Sequence, residues 1–260
     1  MENYKYLSFE IINRVAYITI NRPDKRNALN FVVIKELKLA LDLCESSKDV
    51  KIVVLRGSGN TFCAGADLEY LARLQDYGFN ENLIDSNHLM ELYIQIYKLK
   101  KPVIAQVNGH ALAGGCGLVT VCDFAFSVPE AKFGYTEVKI GFIPAIVMVF
   151  LVKKIGEGKA REVLLSGDTF TAEKALQLGI IGGIFPADQL QKAVDDFAQR
   201  LCIQNSGGSM ELVKRMLIDI ENLPIGEAVM FAAKMNAHAR ATHEFRKGLV
   251  GFINKEKIEW

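Results

Sequence analysis

Residues 103–117 have the sequence VIAQVNGHALAGGCG, and this stretch decides the fold of the chain. Residues 103–107 are of β-strand type, Asn108 and Gly109 mark a turn, and the segment from Gly114 to Cys122 predicts a short helix. The first N–H groups of a helix have no partner inside that helix. A strand, a tight turn and a helix in this order would therefore present bare backbone donors to a ligand.

The glycine-rich run does not have the features of a nucleotide-binding loop. Gly109 and Gly114 have the spacing of a phosphate loop, but Gly115 replaces its lysine and Cys116 replaces its metal-binding hydroxyl. The pattern G-x-G-x-x-G that opens a dinucleotide-binding unit is absent as well. The run predicts one half of an oxyanion hole, with close packing of glycine between strand and helix as the alternative.

The segments around this stretch alternate between strand and helix patterns. Residues 15–20 and 52–55 predict strands, the apolar positions between residues 29 and 44 recur at helical spacing, and residues 123–128 predict another strand. Strand, helix and buried strand in this order indicate an α/β fold with a largely parallel sheet. The polar segment of residues 64–98 predicts a mobile insertion that acts as a lid.

The last part of the chain is predicted to be helical. A helix over residues 171–179 has a threonine cap and a glycine stop, and from about residue 187 the pattern is helical with breaks at 205–208 and 222–224. We expect a core with the active site over residues 1–195 and a helical region that packs on a neighbour or on its own core over residues 196–260.

The composition excludes several classes of function. The chain has 260 residues, half of them hydrophobic, and a net charge of only +1. Its overall electrostatic field therefore does not attract nucleic acid or an anionic membrane. Its longest apolar stretch, residues 140–152, is too short to span a bilayer. The first residues do not resemble a signal peptide, and five scattered cysteines suit a reducing compartment. We expect a cytoplasmic protein with free thiols.

Two further features complete a candidate site. Residues 62–68, FCAGADL, form a second small-residue turn that opens a helix, with Asp67 near its N-terminus. Glu137 follows at the end of FGYTE, residues 133–137. Two N–H donors that converge on one oxygen would stabilise an enolate, and an acid beside them could move a proton. The combination predicts chemistry on a thioester.

These residues carry a resemblance to a known family. Residues 21–29 (NRPDKRNAL), 62–68, 114–118 (GGCGL), 133–137 and 141–144 (GFIP) occur in the order found in the crotonase (enoyl-CoA hydratase/isomerase) superfamily. The resemblance covers nearly the whole chain. It implies a spiral of ββα units, a C-terminal helical trimerisation region, homotrimers that often pair into hexamers, and an acyl-CoA thioester substrate of fatty acid metabolism.

The resemblance also implies the site residues. The thioester carbonyl would lie between the backbone N–H groups of Ala66 and Gly114, and Glu137 would transfer protons. Lys25 and Arg26 are candidates for contact with the CoA phosphates. No separate cofactor and no metal are expected, because coenzyme A is part of the substrate. The full set of predicted substrate contacts is Lys25, Arg26, Ala28, Ala64, Asp67, Leu68, Gly115, Gly117 and Pro144.

The chain departs from ordinary enoyl-CoA hydratases at two places. Gly117 stands where those enzymes carry a first glutamate, so Glu137 is the single acid, and residues 145–150 (AIVMVF) replace a Gly-Gly-Thr-Gln-Arg-Leu run. Residues 117–123 (GLVTVCD) and 137–145 (EVKIGFIPA) are similar to bacterial methylglutaconyl-CoA hydratases of leucine degradation. We expect hydration of a branched, carboxylated enoyl-CoA.

Three alternatives remain open. A Δ3,Δ2-enoyl-CoA isomerase also needs a single glutamate, and a glutaconyl-type decarboxylase needs mainly the oxyanion hole. The third is a non-catalytic member that binds acyl-CoA or RNA. The nearly neutral charge argues against RNA as a partner.

Overall fold

Ten strands form two sheets in the computed structural model, which describes residues 4–260. The six-stranded sheet has the order β1-β2-β3-β5-β7-β10, and the four-stranded sheet has the order β4-β6-β8-β9. The strands are β1 Leu7–Ile12, β2 Val15–Ile20, β3 Ile52–Gly57, β4 Thr61–Cys63, β5 Val103–Val107, β6 His110–Leu112, β7 Phe124–Ser127, β8 Lys132–Gly134, β9 Phe170–Thr171 and β10 Gly183–Ile184.

Helices connect the strands and make up the C-terminal region. Short 3₁₀ helices lie at Pro23–Lys25 and Glu137–Ile140. The α-helices are α1 Phe31–Ser46, α2 Leu68–Leu74, α3 Phe79–Lys98, α4 Gly114–Val121, α5 Ala145–Ile155, α6 Glu157–Ser166, α7 Ala172–Leu178, α8 Ala187–Gln204, α9 Gly207–Asp219, α10 Ile225–Ala241 and α11 His243–Asn254.

Three successive ββα units supply the central strands of the two sheets. In each unit the first strand (β3, β5 or β7) joins the six-stranded sheet, and the second (β4, β6 or β8) joins the four-stranded sheet. The pairs β3–β5, β5–β7, β4–β6 and β6–β8 are parallel, whereas β1–β2 and β8–β9 are antiparallel. The prediction of an α/β fold with a spiral of ββα units and C-terminal helices is confirmed. The strand β1 had not been predicted.

The core explains why the central strands are almost continuously apolar. Every residue of β2 and β5 is buried, because helices and the second sheet cover both faces. Four largely buried lysines each donate to backbone carbonyls at the C-terminal end of a helix, where the last carbonyls lack partners. They are Lys51 at α8, Lys101 at α1, Lys154 at α4 and Lys214 at α3.

The insertion predicted over residues 64–98 is helical over most of its length and is not a long loop, whereas its mobility stays a prediction. The segment forms α2 and the 20-residue helix α3. Leu92, Tyr93 and Ile96 on α3 are at most 1% exposed. Together with Leu99 they have helical spacing, and the core that they enter fixes the C-terminal part of α3, whereas α2 has no buried residue.

The C-terminal helices break near the predicted positions and at one more. Thr242 ends α10 and caps α11, since its hydroxyl accepts a hydrogen bond from the Phe245 N–H at 3.1 Å. The boundary predicted between residues 195 and 196 lies inside α8, a continuous helix whose buried face extends from Leu190 to Cys202. Over residues 4–260, none of the helices is long and apolar enough to cross a membrane.

Candidate active site

Parallel strands bring the three predicted features of the site to one edge of the four-stranded sheet. Strands β4, β6 and β8 are neighbours, with Cys63 beside Ala111 and Leu112 beside Gly134. Their carboxyl ends lead respectively into residues 64–67, residues 113–115 and the helical turn that begins at Glu137. Because the carboxyl ends of parallel strands lie at the same edge, features that are far apart in the sequence become neighbours.

The Ala66 turn, residues 64–67, leaves one backbone donor free. The Leu29 N–H donates to the Gly65 carbonyl at 2.7 Å, and the Asp67 N–H donates to the Leu29 carbonyl at 2.8 Å. Between these bonds the Ala66 N–H has no acceptor among residues 4–260, and Ala66 is exposed. The turn therefore presents a donor to solvent or to a ligand.

A buried ion pair holds the Ala66 turn. Arg22 Nη1 lies 2.6 Å from Asp67 Oδ2, and the two side chains are only 10% and 6% exposed. The other Asp67 oxygen accepts the Glu69 and Tyr70 N–H groups and caps α2. Burial raises the pKa of Asp67, but the hydrogen bonds from Arg22 and the α2 backbone outweigh it and lower the pKa overall. Asp67 was predicted to contact substrate, and the structure places it beneath the turn.

The Gly114 turn, residues 113–115, leaves a second donor free. Gly114 is the first residue of α4, and its N–H has no acceptor among the described residues, 4–260. The preceding residue, Ala113, has φ 49° and ψ −125°, a backbone conformation that alanine rarely adopts. It is held by a hydrogen bond from the Ala113 N–H to the Gly134 carbonyl at 2.7 Å.

The two turns pack directly against each other. Gly65 has φ 89°, and a Cβ at this position would lie 2.8 Å from the Ala113 Cβ and 3.3 Å from the Gly114 nitrogen. A Cβ on Gly115 would lie 2.1 Å from the Cys63 carbonyl oxygen. Glycine is required at both positions because the backbones approach so closely. The two free donors consequently belong to adjoining turns.

Glu137 opens the short 3₁₀ helix after β8. Its Oε2 atom is buried and has no hydrogen-bond partner in the structure of residues 4–260. Burial raises the pKa of Glu137 above its ordinary value. A carboxyl group in these surroundings holds a proton more readily than an exposed glutamate and has one oxygen free to exchange it.

Gly117 lies in the first turn of α4 and is covered by α5. A Cβ placed on Gly117 would lie 2.2 Å from Val147 Cγ1 and 3.1 Å from Tyr93 Oη. The two departures noted in the sequence, at residue 117 and in residues 145–150, therefore meet in space. Val147 and Tyr93 occupy the region into which a longer side chain at position 117 would extend, and a contact of Gly117 with substrate stays a prediction.

The other predicted contact residues lie at different depths. Lys25 pairs with Glu69 at 2.5 Å, and Arg26 is exposed, with its carbonyl accepting the Ala64 N–H at 3.0 Å. Ala28 is only 7% exposed. Arg26 and Lys25 are therefore close to the Ala66 turn, and their contact with substrate stays a prediction.

Three further predicted contact residues differ in their exposure. Leu68, which follows the Ala66 turn, is 68% exposed, whereas Gly115 is buried against β4. Pro144 is buried and directly precedes α5. No group of three or more His, Cys, Asp or Glu side chains within residues 4–260 is arranged to hold a metal ion.

Sequence reasoning missed the role of Tyr93 and Arg22. Tyr93 Oη donates to the Gly114 carbonyl at 2.7 Å from within α3. The helical spacing of Leu92, Tyr93 and Ile96 could have revealed a buried helix, but not the target of the hydroxyl. Arg22 belongs to the motif of residues 21–29, and its pairing with Asp67, 45 residues away, required the folded structure.

Comparison with known proteins gives consistent results. A family model described as enoyl-CoA hydratase/isomerase matches residues 10–260. A Thermus thermophilus protein provisionally named enoyl-CoA hydratase is 38% identical, over 93% of this chain and 95% of its own. The mitochondrial enoyl-CoA hydratase of Pongo abelii is 31% identical, over 95% and 84% of the two chains.

A solved structure has nearly the same fold. The crystal structure of an enoyl-CoA hydratase from Shewanella pealeana superposes with a TM-score of 0.94 at 32% sequence identity, covering 99% of this chain and 96% of that chain.

Proposed function

The chain belongs to the enoyl-CoA hydratase/isomerase family, and we propose that it adds water across the α,β double bond of an enoyl-CoA thioester. One observation carries the proposal. The buried, unpartnered Oε2 atom of Glu137 and two free backbone donors, on Ala66 and Gly114, occur at one edge of the same sheet. A thioester enolate needs this set of groups: two donors for its oxygen and an acid or base for its carbon.

The free N–H groups of Ala66 and Gly114 would bind the carbonyl oxygen of the thioester. Negative charge develops on this oxygen when the β-carbon is attacked. Donors that are already oriented stabilise that charge without reorganisation, and each is worth about 3 kcal/mol in the transition state. Arg22 and Asp67 contribute by holding the Ala66 turn through their buried ion pair.

Glu137 would carry one proton in two successive transfers. The water oxygen bonds to the β-carbon while one water proton moves to the Glu137 carboxylate, and the π electrons move to the thioester oxygen. The enolate then collapses, and its α-carbon takes the proton back from Glu137. The raised pKa of Glu137, caused by burial, supports this cycle, because proton exchange is most efficient when the pKa lies near the working pH.

The substrate is proposed to be a branched, carboxylated enoyl-CoA similar to methylglutaconyl-CoA. The support is the resemblance of residues 117–123 and 137–145 to hydratases of that group. Arg26, exposed beside the Ala66 turn, and Lys25 are proposed to contact the phosphates of coenzyme A.

One observation favours Δ3,Δ2-enoyl-CoA isomerisation as a second candidate. Val147 and Tyr93 cover Gly117, so this wall of the site offers no second acid to help position a water molecule. An isomerase needs no water, because a single carboxylate can carry a proton from one carbon to another. Access of water to the β-carbon would separate the two reactions.

We further infer that the chain assembles into a homotrimer or homohexamer through its C-terminal helices. Helices α10 and α11 expose large apolar side chains in the single chain, among them Ile225 (83%) and Phe252 (81%). Exposed apolar surface on this scale is typical of protein interfaces. Sedimentation or light scattering of the purified protein would give the number of subunits.

The reaction is tested with a panel of CoA thioesters in ¹⁸O-labelled water. Crotonyl-CoA, 3-methylglutaconyl-CoA and a 3-enoyl-CoA are each incubated with the protein, and the masses of the products are measured by mass spectrometry. Hydration adds one labelled water, and preference for the methylglutaconyl ester supports the carboxylated substrate. Label-free migration of the 3-enoyl double bond would assign isomerisation instead. Loss of CO₂ from the methylglutaconyl ester would assign decarboxylation, and no turnover of any ester would contradict all three reactions and leave acyl-CoA binding.

A further inference from the structure

We propose that Tyr93 is a positioning residue of the Gly114 turn, whose hydroxyl holds the first peptide units of α4 so that the Gly114 N–H faces the carbonyl oxygen of the substrate. The inference rests on the proposed function, because it takes a thioester carbonyl as the ligand of that N–H. It assigns a role to a residue on α3, a helix that otherwise supplies core packing.

The contacts of Tyr93 place its hydroxyl against the start of α4. The side chain is fully buried, and Oη donates to the Gly114 carbonyl at 2.7 Å. A Cβ added to either Gly114 or Gly117 would lie 3.1 Å from Oη, so the hydroxyl is packed tightly against this turn of helix. Since the side chain has no exposed surface, it acts on a ligand through the backbone and not by contact.

The backbone that Tyr93 holds is strained and intrinsically flexible. The ψ angle of Ala113 sets the direction of the Gly114 N–H, and its positive φ costs about 1–3 kcal/mol. Two consecutive glycines, Gly114 and Gly115, follow and add conformational freedom. A strained residue followed by two flexible ones keeps one conformation only if its neighbours are anchored.

Besides the regular hydrogen bonds inside α4, three hydrogen bonds anchor this segment. The Ala113 N–H donates to the Gly134 carbonyl at 2.7 Å, and the Gly117 N–H donates to the Ala113 carbonyl at 3.1 Å. The bond from Tyr93 to the Gly114 carbonyl holds the next peptide unit. It is the one of the three that comes from a side chain, so it can be removed by substitution without altering the backbone.

Tyr93 remains a neutral donor at working pH. Burial raises the pKa of Tyr93 well above that of free tyrosine, and the nearby Cys63 and Glu137 raise it further. The hydroxyl therefore keeps its proton while Glu137 exchanges one.

The substitution Tyr93→Phe tests the role. It removes the hydroxyl but keeps the ring, which packs 6.2 Å from the Phe150 ring. We expect kcat to fall about tenfold, the equivalent of one hydrogen bond, with KM nearly unchanged. Tyr97→Phe is the matched control: it lies one helical turn further along α3, its hydroxyl interacts with Glu221, and its kcat should equal that of the wild type.

A chromophoric thioester reports positioning without turnover. The absorbance of 4-dimethylaminocinnamoyl-CoA moves to longer wavelength when its carbonyl is polarised. We expect a smaller shift when it binds Tyr93→Phe than when it binds the wild type or Tyr97→Phe. Amide hydrogen exchange of residues 113–117 should be faster in Tyr93→Phe alone.

The outcomes separate this role from the proposed reaction. An unchanged kcat, wavelength shift and exchange rate in Tyr93→Phe would overturn the positioning role. So would equal losses in both tyrosine variants, because these would indicate general destabilisation. If the wild type polarises the probe but hydrates no ester, the proposed reaction fails, and the wavelength shift still decides the role of Tyr93.

Discussion

The two ends of helix α4 are built in opposite ways. At the C-terminal end, Lys154 Nζ donates to the Thr120 and Cys122 carbonyls at 2.9 and 2.8 Å. At the N-terminal end, the Gly114 N–H has no acceptor within residues 4–260, and Glu137 nearby keeps a buried oxygen without a partner. The C-terminal end is completed, because a lysine of the protein pairs its carbonyls. The N-terminal end is open, because its first N–H group has no acceptor among residues 4–260.

The difference supports the proposal that the N-terminal end of α4 serves a ligand. A buried polar group without a partner costs about 1–3 kcal/mol, so folded proteins pair nearly all of them. A buried lysine pairs the carbonyls at the C-terminal end, although burial lowers the pKa of Lys154 and so disfavours its charge. In the proposed function, a substrate would complete the free Gly114 N–H, which lies on a half-buried residue, and the buried Oε2 atom of Glu137.

The largest effect is expected at the open end, from Glu137→Gln. Loss of the proton carrier should lower kcat by about 100-fold to 10,000-fold, while the stability is kept because the burial of a charge is relieved. Steady-state kinetics and thermal unfolding measure the two effects. The control Glu130→Gln alters an exposed acid before β8 and should leave kcat unchanged. Full activity of Glu137→Gln would contradict the proposal that the N-terminal end of α4 and Glu137 serve the reaction.

The next effect concerns the space between Gly117 and Val147, near the N-terminal end of α4. Gly117→Glu places a side chain where Val147 Cγ1 would be 2.2 Å from its Cβ. We expect the free energy of unfolding to fall by about 3 kcal/mol through overpacking. Adding Val147→Ala should recover part of this loss, which urea unfolding of the single and double variants measures. Equal stability of Gly117→Glu and wild type would show that the space is open.

A smaller effect is expected at the completed end, from Lys154→Met. The methionine keeps the apolar stem but leaves the Thr120 and Cys122 carbonyls without their donor. We expect the free energy of unfolding to fall by about 2 kcal/mol, with kcat per folded molecule unchanged. Lys159→Met, at an exposed position of α6, is the control. A loss of kcat without loss of stability would contradict the comparison.

The smallest effect is the pH dependence of stability that Glu137 produces. Burial raises the pKa of Glu137 in the folded state above its ordinary value. The folded state therefore binds more protons, and this group lowers stability as pH rises from the ordinary pKa to the raised one. Unfolding of the wild type and Glu137→Gln at several pH values should give a gap that widens with pH and then levels off. If the free energies of unfolding of the two proteins change in parallel with pH, the Glu137 carboxyl group is not desolvated in the folded state.

Local patterns predicted most of the elements. Strand β2, residues 15–20, and strand β5, residues 103–107, occur where alternating or continuous apolar runs predicted them. Helix α7 begins after the Thr171 cap and ends at Gly179, as its capping residues indicated. These features depend on residues a few positions apart, so the sequence contains their cause.

Other features depend on partners that are remote in the sequence. The polar composition of residues 64–98 hid α3, because its order comes from Tyr93 and its neighbours entering a core built from other segments. The covering of Gly117 by Val147 was equally hidden, although both positions had been noted as departures. Periodicity describes a segment and does not identify what packs against it.

The sequence by itself determined the family, the alternation of strands and helices, and the residues Ala66, Gly114 and Glu137 as candidates. Only the tertiary structure decided that the Ala66 and Gly114 turns adjoin, that Arg22 and Tyr93 hold those turns, and that Val147 covers Gly117. The physical reason is the range of the interactions. Turn, cap and strand propensities act between near neighbours, whereas packing and buried hydrogen bonds join residues that only the parallel sheets bring together.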